Sequence, residues 1–197
     1  MKNNDLFLFA EPVGRYALDV DCADILKNIK ELKYHQSGHS MIEFSDGGNV
    51  LDFFPDLNKQ IYNACKNFIH DKMKIPERLE VEIVESWATQ TPPKGKGDEH
   101  YHSHCFVSGI FYPHSGSQIR FNRENNMSNF WCVDSTEYNE YNSTWYILSP
   151  PTGSLILFRN YLTHEIVEYS GSENRYSISF NVMLRGQVGS HTLLTKL

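Results

Sequence analysis

Residues 100–112, which read HYHSHCFVSGIFY, decide the fold of this chain. The run from Phe106 to Tyr112 is rich in aromatic and β-branched residues and predicts a β-strand. In an extended segment side chains alternate between faces, so His100 and His102 are expected to point the same way, about 7 Å apart along the backbone. The stretch therefore predicts a strand preceded by two histidines at the spacing of metal ligands.

Short strand-like runs continue beyond this stretch, separated by Pro, Gly, Ser and Asn. The first one alternates apolar and acidic residues from Leu79 to Ile83, before Val84 and Glu85 shift the phase. Seven or so short strands predict an antiparallel sandwich or barrel. The runs are 79–85, 106–112, 118–121, 144–148, 154–158, 165–169 and 176–184.

The N-terminal part of the chain has a helical period instead. Apolar residues recur at helical spacing over 22–33 and 56–73, which predicts two amphipathic helices packed on the outside of the β-structure. The 197 residues contain no repeat and no linker, so a single domain over 1–197 is expected, with a helical part over about 1–78 and a β core over about 79–190.

Composition narrows the partners of this domain. Eighteen Lys and Arg against 24 Asp and Glu give a formal charge of -6, so long nucleic acid is not expected to bind. No stretch approaches the roughly 20 apolar residues of a membrane helix. The four cysteines form no CxxC pair and no leader-like segment is evident, which favours reduced thiols in a cytoplasmic protein.

A third metal donor can come from His164, directly before another strand-like run. Two imidazoles at i and i+2, with a third from a different strand, can occupy one face of a metal and leave the other positions for substrates. Histidines at this spacing also occur without a metal, so the spacing alone leaves both interpretations open.

Arg175 and Ser177 lie at alternate positions around the start of the last strand-like run, so both face one side of it. The planar guanidinium of an arginine can hold a carboxylate through two parallel hydrogen bonds. This pattern predicts a carboxylate-binding site. The alternative is that Arg175 is only a charged residue on an edge strand and binds no ligand.

Taken together, these motifs resemble the 2-oxoglutarate and Fe(II)-dependent oxygenases of the prolyl-hydroxylase-like superfamily. The resemblance covers nearly the whole chain, and it depends on the joint spacing of motifs that are individually weak. The motifs are LFAEPV over 8–13, SWA over 86–88, GD over 97–98, HYH over 100–102, VSGIFY over 107–112, PTGSLILF over 151–158, His164, and RYSISFN over 175–181.

The resemblance implies a mainly β fold, the double-stranded β-helix or jelly roll, with Fe(II) at its open end. By analogy, His100 and His164 would be iron ligands and catalytic residues. Arg175 and Tyr112 would bind the distal carboxylate of the cosubstrate 2-oxoglutarate, assisted by Ser177. The implied activity is that of a 2-oxoglutarate-dependent dioxygenase, which hydroxylates a C–H bond and releases succinate and CO2.

The third ligand departs from the wider superfamily, because His102 occupies its carboxylate position. Three neutral imidazoles carry no charge, so a dianionic 2-oxoglutarate would have to balance most of the charge of the metal, and a tight dependence on the cosubstrate is expected. Asp98 is the alternative third ligand and ranks behind His102. His104 lies on the same face and is expected to support the site.

Two other functions remain as alternatives. A cupin also presents His-x-His on a jelly roll, but cupins usually carry a glutamate a few residues later, where this chain has Cys105, Phe106 and Val107. A non-catalytic binding module of the same fold is the second alternative.

The substrate is not identified by any residue, and both a small molecule and a peptide fit. A homodimer is left open. The excursion over 122–143 is the candidate lid and specificity element. Trp87, Tyr101 and Trp145 are candidates to line the substrate cavity, with ordinary core packing as the alternative.

Overall fold

Three antiparallel β-sheets organise the computed structural model, which describes residues 10–37, 40–123, 135–190 and 193–196. In chain order the strands are β1 (Val13–Ala17), β2 (Tyr34–Gln36), β3 (Glu43–Ser45), β4 (Glu80–Thr91), β5 (Val107–Tyr112), β6 (Ile119–Asn122), β7 (Trp145–Leu148), β8 (Ser154–Arg159), β9 (His164–Ile166), β10 (Arg175–Arg185), β11 (Gln187–Ser190) and β12 (Leu193–Lys196).

The large sheet has the order β1-β8-β5-β10-β4-β3-β2, and the small sheet has the order β7-β6-β9. A third sheet is the hairpin of β11 and β12. Neighbours in the large sheet are distant in sequence, as when β10 pairs with β4 on one side and with β5 on the other. The strands therefore form a sandwich of a seven-stranded and a three-stranded sheet, which matches the jelly-roll prediction.

Two α-helices precede the long strands: α1 (Cys22–Lys30) and α2 (Pro55–Lys66). The Asp21 side chain caps α1 by accepting hydrogen bonds from the main-chain N–H groups of Ala23 and Asp24. Pro55 begins α2, where its missing N–H costs no hydrogen bond. A 3-10 turn (Val50–Phe53) precedes α2, and a π-helical turn (Asn67–Lys72) follows it.

The first hydrophobic core lies between these helices and one face of the large sheet. It contains Ile29 of α1 and Ile61 of α2 together with Phe111 and Phe180, all with no exposed surface. Gly109 faces Phe180 across the β5–β10 pair, and a Cβ on this glycine would lie only 2.1 Å from the Phe180 ring. The glycine of the SG motif is therefore a packing requirement.

The second core lies between the two sheets of the sandwich. Ile110 and Tyr112 of β5 and Phe158 of β8 contribute the inner face of the large sheet. Ile119 and Phe121 of β6 contribute the small sheet. This layer stops short of one end of the sandwich, where polar residues replace the apolar ones and form the site described below.

Each of the seven predicted strand runs overlaps an observed strand, and the phase shift near Glu85 is a β-bulge. Asn181 pairs with Glu85 but Val182 pairs with Ile83, so Val84 is an extra residue in β4. The strands β1, β2, β3, β11 and β12 were not predicted. No helix in the described part of the chain is long and apolar enough to span a lipid bilayer. The single-domain boundaries stay a prediction.

Candidate metal centre

Three histidines converge at one end of the sandwich. The candidate ligand atoms of His100, His102 and His164 all lie within 4.8 Å of one another. The ring centroids of His100 and His164 are 4.4 Å apart, and those of His102 and His164 are 5.3 Å apart with nearly parallel planes. This spacing lets three imidazole nitrogens reach one metal ion from one side.

Main-chain hydrogen bonds hold the three histidines in place. His100 and His164 form an antiparallel bridge, in which each N–H donates to the carbonyl of the other at 2.9 Å. His102 is tied to the turn before β9, since its N–H donates to the carbonyl of Asn160 and its carbonyl accepts from the Asn160 amide, both at 2.9 Å. Two separate segments are thus fixed side by side.

The hydrogen bonds of the rings also set their tautomers. His100 Nδ1 lies 2.8 Å from the main-chain carbonyl of Asp98, and His164 Nδ1 lies 3.0 Å from that of Leu162. A carbonyl only accepts, so each Nδ1 carries the proton and donates it. Each Nε2 is then left with a free lone pair, as a metal ligand requires.

Burial keeps two of the imidazoles neutral. Burial, followed by the charge of His100, lowers the pKa of His164 to about 3, although its hydrogen bond to Leu162 acts in the opposite direction. The same two causes lower the pKa of His102 to about 4, against the opposing effects of Glu85 and Asn181. Both rings are therefore deprotonated at neutral pH and available to a metal.

The other candidate ligands do not join this group in the described part of the chain. Asp98 contributes its main-chain carbonyl to His100, while its carboxylate is not among the clustered ligand atoms. His104 is exposed in the turn before β5 and lies outside the cluster. The geometry thus favours His102 over Asp98, as the ranking from the sequence had it.

A cavity of about 240 Å³ opens beside the three histidines. Its walls combine apolar residues such as Ile110 and Phe158 with a few hydroxyl groups. Ser177 of β10 lies on this wall, and its hydroxyl is 2.6 Å from that of Thr89 on β4. Such a mixture suits a small ligand that needs a few oriented polar contacts.

Arg175 lies one alternation further along β10, beyond the Thr89–Ser177 pair. It is only 1 % exposed, and its guanidinium donates to Ser117 Oγ at 2.5 Å and Thr91 Oγ1 at 2.6 Å. Its Nε has no partner among the described residues. Arg175 lines a second cavity, of about 480 Å³, and does not line the cavity next to the histidines.

Tyr112 is fully buried, and its hydroxyl lacks a partner in the described part of the chain. Burial raises the pKa of Tyr112, and the nearby Arg175 acts against this shift. A buried cation and a buried hydroxyl with spare hydrogen-bonding capacity are therefore close neighbours. A carboxylate between them would satisfy both.

Several residues that support these groups were not predicted from the sequence. Asn160 anchors His102, and Thr91 and Ser117 hold Arg175. His114 accepts a hydrogen bond from the main-chain N–H of Tyr176 at 2.9 Å, next to Arg175. Of these, only Thr91 carried a sequence signal, since it continues the alternation of Trp87 and Thr89.

The predicted aromatic lining is correct for one residue of three. Trp87 lines the cavity and stacks on His102, with ring centroids 6.3 Å apart. Tyr101 and Trp145 are 62 % and 46 % exposed and do not line it, because they point away from the inner face. Half of the predicted lid, residues 124–134 of the excursion 122–143, lies outside the described residues.

A family model with the description "Putative 2OG-Fe(II) oxygenase" matches residues 85–181, from the bulge of β4 to the middle of β10. Residues 85–181 belong to the 2OG-Fe(II) oxygenase family. They contain all three histidines together with Tyr112, Arg175 and Ser177. The match confirms the resemblance seen in the sequence and the enzyme class it implies, an oxygenase that uses Fe(II) and 2-oxoglutarate. No protein of curated function matches the chain significantly.

Solved structures of 2-oxoglutarate-dependent enzymes share the fold of this oxygenase. The epimerase SnoN from nogalamycin biosynthesis has a TM-score of 0.62 at 11 % identity, over 88 % of this chain and 78 % of its own. HygX from Streptomyces hygroscopicus, solved with nickel, 2-oxoglutarate and hygromycin B, has a TM-score of 0.61 at 10 % identity, over 88 % and 83 %. A prolyl-4-hydroxylase from Pseudomonas putida has a TM-score of 0.56 at 16 % identity, over 91 % and 96 %. At these identities the likeness concerns the fold alone.

Proposed function

We propose that this oxygenase hydroxylates a C–H bond of a small molecule or peptide, with His100, His102 and His164 as its iron ligands. The convergence of three imidazoles within 4.8 Å carries the proposal. Bound Fe(II) and 2-oxoglutarate supply, with dioxygen, the oxidising power, and succinate and CO2 are released. The chain contributes the geometry, the exclusion of water and the orientation of the two substrates.

The donor chemistry of the site fits Fe(II). Imidazole is a good ligand for iron, and three donors on one side leave positions for the cosubstrate and dioxygen. The main-chain carbonyls at Nδ1 of His100 and His164 orient the two rings before any metal binds. Neutral ligands leave the metal with its full charge, which favours binding of an anionic cosubstrate beside it.

Arg175, Tyr112 and Ser177 are the residues that we assign to 2-oxoglutarate. The support is the unused hydrogen-bonding capacity of Arg175 Nε and the Tyr112 hydroxyl, both buried. A distal carboxylate between them would neutralise a cation that burial otherwise penalises. Ser177 and Thr89 lie between this pair and the histidines along the inner face, where they can contact the middle of the cosubstrate.

The substrate class is proposed from the site and from similar structures. The 240 Å³ cavity opens to solvent beside His100, which is exposed. HygX was solved with hygromycin B bound, and another similar structure contains a prolyl hydroxylase with a peptide fragment. A small molecule or one side chain of a peptide is accordingly the proposed substrate, and long nucleic acid is not.

Location and assembly remain predictions. Cys22, Cys65 and Cys105 are free thiols, which supports a reducing compartment such as the cytoplasm. A homodimer would be detected by light scattering coupled to size-exclusion chromatography.

The family match favours an oxygenase over a cupin.

Anaerobic addition of Fe(II) and 2-oxoglutarate tests the proposed function directly. The wild type should give a weak visible charge-transfer band and, in air, should release succinate. His164→Ala should lose the band because the buried ligand is removed, while His35→Ala, an exposed histidine away from the site, should keep it. Absence of the band and of succinate in the wild type would overturn the proposal.

A further inference from the structure

A chain of polar side chains runs beneath the metal centre, from β5 across β10 to β4. Cys105 Sγ lies 3.2 Å from Ser108 Oγ, whose hydroxyl donates to Asn181 Oδ1 at 3.0 Å. Asn181 Nδ2 then donates to Glu85 Oε1 at 2.5 Å. Cys105, Ser108 and Asn181 are buried, whereas Glu85 is exposed. Because the amide oxygen is already used by Ser108, the amide nitrogen has to face the Glu85 carboxylate.

The β-bulge in β4 decides where this carboxylate lies. Glu85 continues the inner face that Trp87 and Thr89 occupy, directly opposite Asn181. The extra residue, Val84, then lets Ile83 and Val81 return to the first core. Glu85 thus lies on the inner face of β4 directly after the bulge residue, and β-bulges are frequent next to active sites.

Glu85 and Asn181 both lie close to His102. Trp87, two residues after Glu85 on the same face, stacks on the His102 ring, and Ser108 lines the cavity together with His102. The Asn181 side chain and the Glu85 carboxylate both interact with the His102 ring. Among the described residues, a main-chain carbonyl accepts from Nδ1 of His100 and of His164 but not of His102.

His102 therefore differs from His100 and His164, because its ring is surrounded by side chains and theirs donate to main-chain oxygens. A carboxylate that hydrogen-bonds near a metal-binding histidine orients the ring and increases its basicity. This carboxylate also sits beside a ligand set that carries no negative charge of its own. Glu85 is exposed, but its hydrogen bond to the buried Asn181 turns one side of the carboxylate toward the protein interior, so solvent screens its attraction for a dication only in part.

We propose that Glu85, held in place by Asn181, is a positioning residue for His102 and supplies from outside the ligand set the negative charge that three imidazoles lack. This inference rests on the proposed function, since it assumes that the three histidines hold the metal. It assigns Glu85 no contact with the metal or the substrate. The readout is accordingly metal affinity, measured without turnover.

Titration of the metal-free enzyme with Co(II), followed by its visible absorption, measures that affinity. Glu85→Gln keeps an acceptor for Asn181 but removes the charge, and it should weaken Co(II) binding about 10-fold to 100-fold, the range found for such outer partners. Glu85→Asp should recover part of the loss. Glu80→Gln removes the same charge from an exposed position of the same strand and should bind Co(II) as the wild type does.

Asn181→Leu tests whether the two residues act as one unit, because it removes the amide at similar volume. If Glu85 acts through Asn181, the double variant should bind Co(II) about as weakly as the weaker single variant. A purely structural role predicts losses that add, together with a lower thermal midpoint in every variant. Should Asn181→Leu not fold, the comparison of Glu85→Gln with Glu80→Gln still decides.

The outcomes separate this inference from the proposed function. If the wild type binds Co(II) and the Glu85→Gln variant binds it with the same affinity, the inference is overturned while the proposed function stands. Additive losses in the double variant would also overturn it. A wild type that binds no Co(II) at the three histidines would overturn the proposed function first.

Discussion

The two ends of the inner face differ in how they hold their functional groups. At the metal end, His100 and His102 lie in a segment outside the regular strands, where His100 is exposed and His102 is half-buried. At the carboxylate end, Arg175 and Tyr112 lie within long strands and are almost completely buried. The first end depends on a few main-chain hydrogen bonds, and the second on the register of the large sheet.

This difference indicates that the two ends respond differently to substitutions and to pH. A neutral imidazole can gain a proton as the pH falls, whereas a buried arginine keeps its charge throughout the ordinary pH range. A buried cation held by two hydroxyl groups is costly to replace, because its environment is built around the charge. Variants should therefore affect cosubstrate binding most at the carboxylate end, and pH should act at the metal end.

The largest effect is expected from Arg175→Ala. Removing the guanidinium takes away the cation that we assign to the distal carboxylate, so the KM for 2-oxoglutarate should rise about 100-fold, as for a truncated buried ion pair. Steady-state succinate release at varied 2-oxoglutarate measures this. Co(II) affinity should change little, because the histidines are held by other contacts.

Arg185→Ala is the matched control, since Arg185 lies on the same strand but is exposed and paired with Glu82. Its KM for 2-oxoglutarate should equal that of the wild type. If Arg175→Ala also left the KM unchanged, another cation would have to bind the carboxylate. Arg175→Lys distinguishes charge from fork geometry, because lysine keeps the charge but cannot form two parallel hydrogen bonds.

A smaller effect is expected from acid on the metal-free protein. His164 and His102 have pKa values of about 3 and about 4 in the folded state, below the usual 6.5. The unfolded chain then binds more protons between these values, so the free energy of unfolding should fall as pH decreases from 6.5 toward 4. Urea unfolding at pH 7, 6 and 5 measures this loss.

His164→Gln should flatten that pH dependence, because one of the two buried imidazoles is gone. His35→Gln, at an exposed site, should leave the slope of the wild type. An unchanged slope in His164→Gln would mean that other groups cause the acid sensitivity. Arg175 should contribute nothing to the pH dependence of unfolding in this range. The two ends of the inner face should therefore still differ in their response to acid.

The smallest effect is expected from Asp98→Asn. Only the main-chain carbonyl of Asp98 contacts His100, so the substitution should change Co(II) affinity by no more than about twofold, as for an ordinary surface change. Loss of the metal in Asp98→Asn, with retention in His102→Ala, would make Asp98 the third ligand. That result would overturn the assignment of His102.

The sequence was informative where function depends on local spacing. The alternation of Arg175 and Ser177 and the His100–His102 pair could be read directly, because strands place every second residue on one face. His164 could be proposed as a third donor from its place before a strand-like run, and the resemblance to a known family then added Tyr112. Each of these residues lies in or beside a strand run that was recognisable from its own composition.

Contacts between distant segments could not be predicted. The His100–His164 bridge and the support of His102 by Asn160 join positions about sixty residues apart, and no local pattern encodes that pairing. The strands β2 and β3 have only three residues each, too few to show alternation. Tyr101 and Trp145 were assigned to the cavity by their residue type, but their faces are set by the fold.

The close approach of Gly109 to Phe180 affects how variants of the shared motif should be interpreted. Gly109 lies on the cavity wall and inside the family match, so a loss of activity after its replacement would look like a catalytic defect. The damage would in fact begin on the opposite side of the sheet, where a methyl group would displace an aromatic ring. Related sequences should therefore accept a larger residue at position 109 only together with a smaller one at position 180.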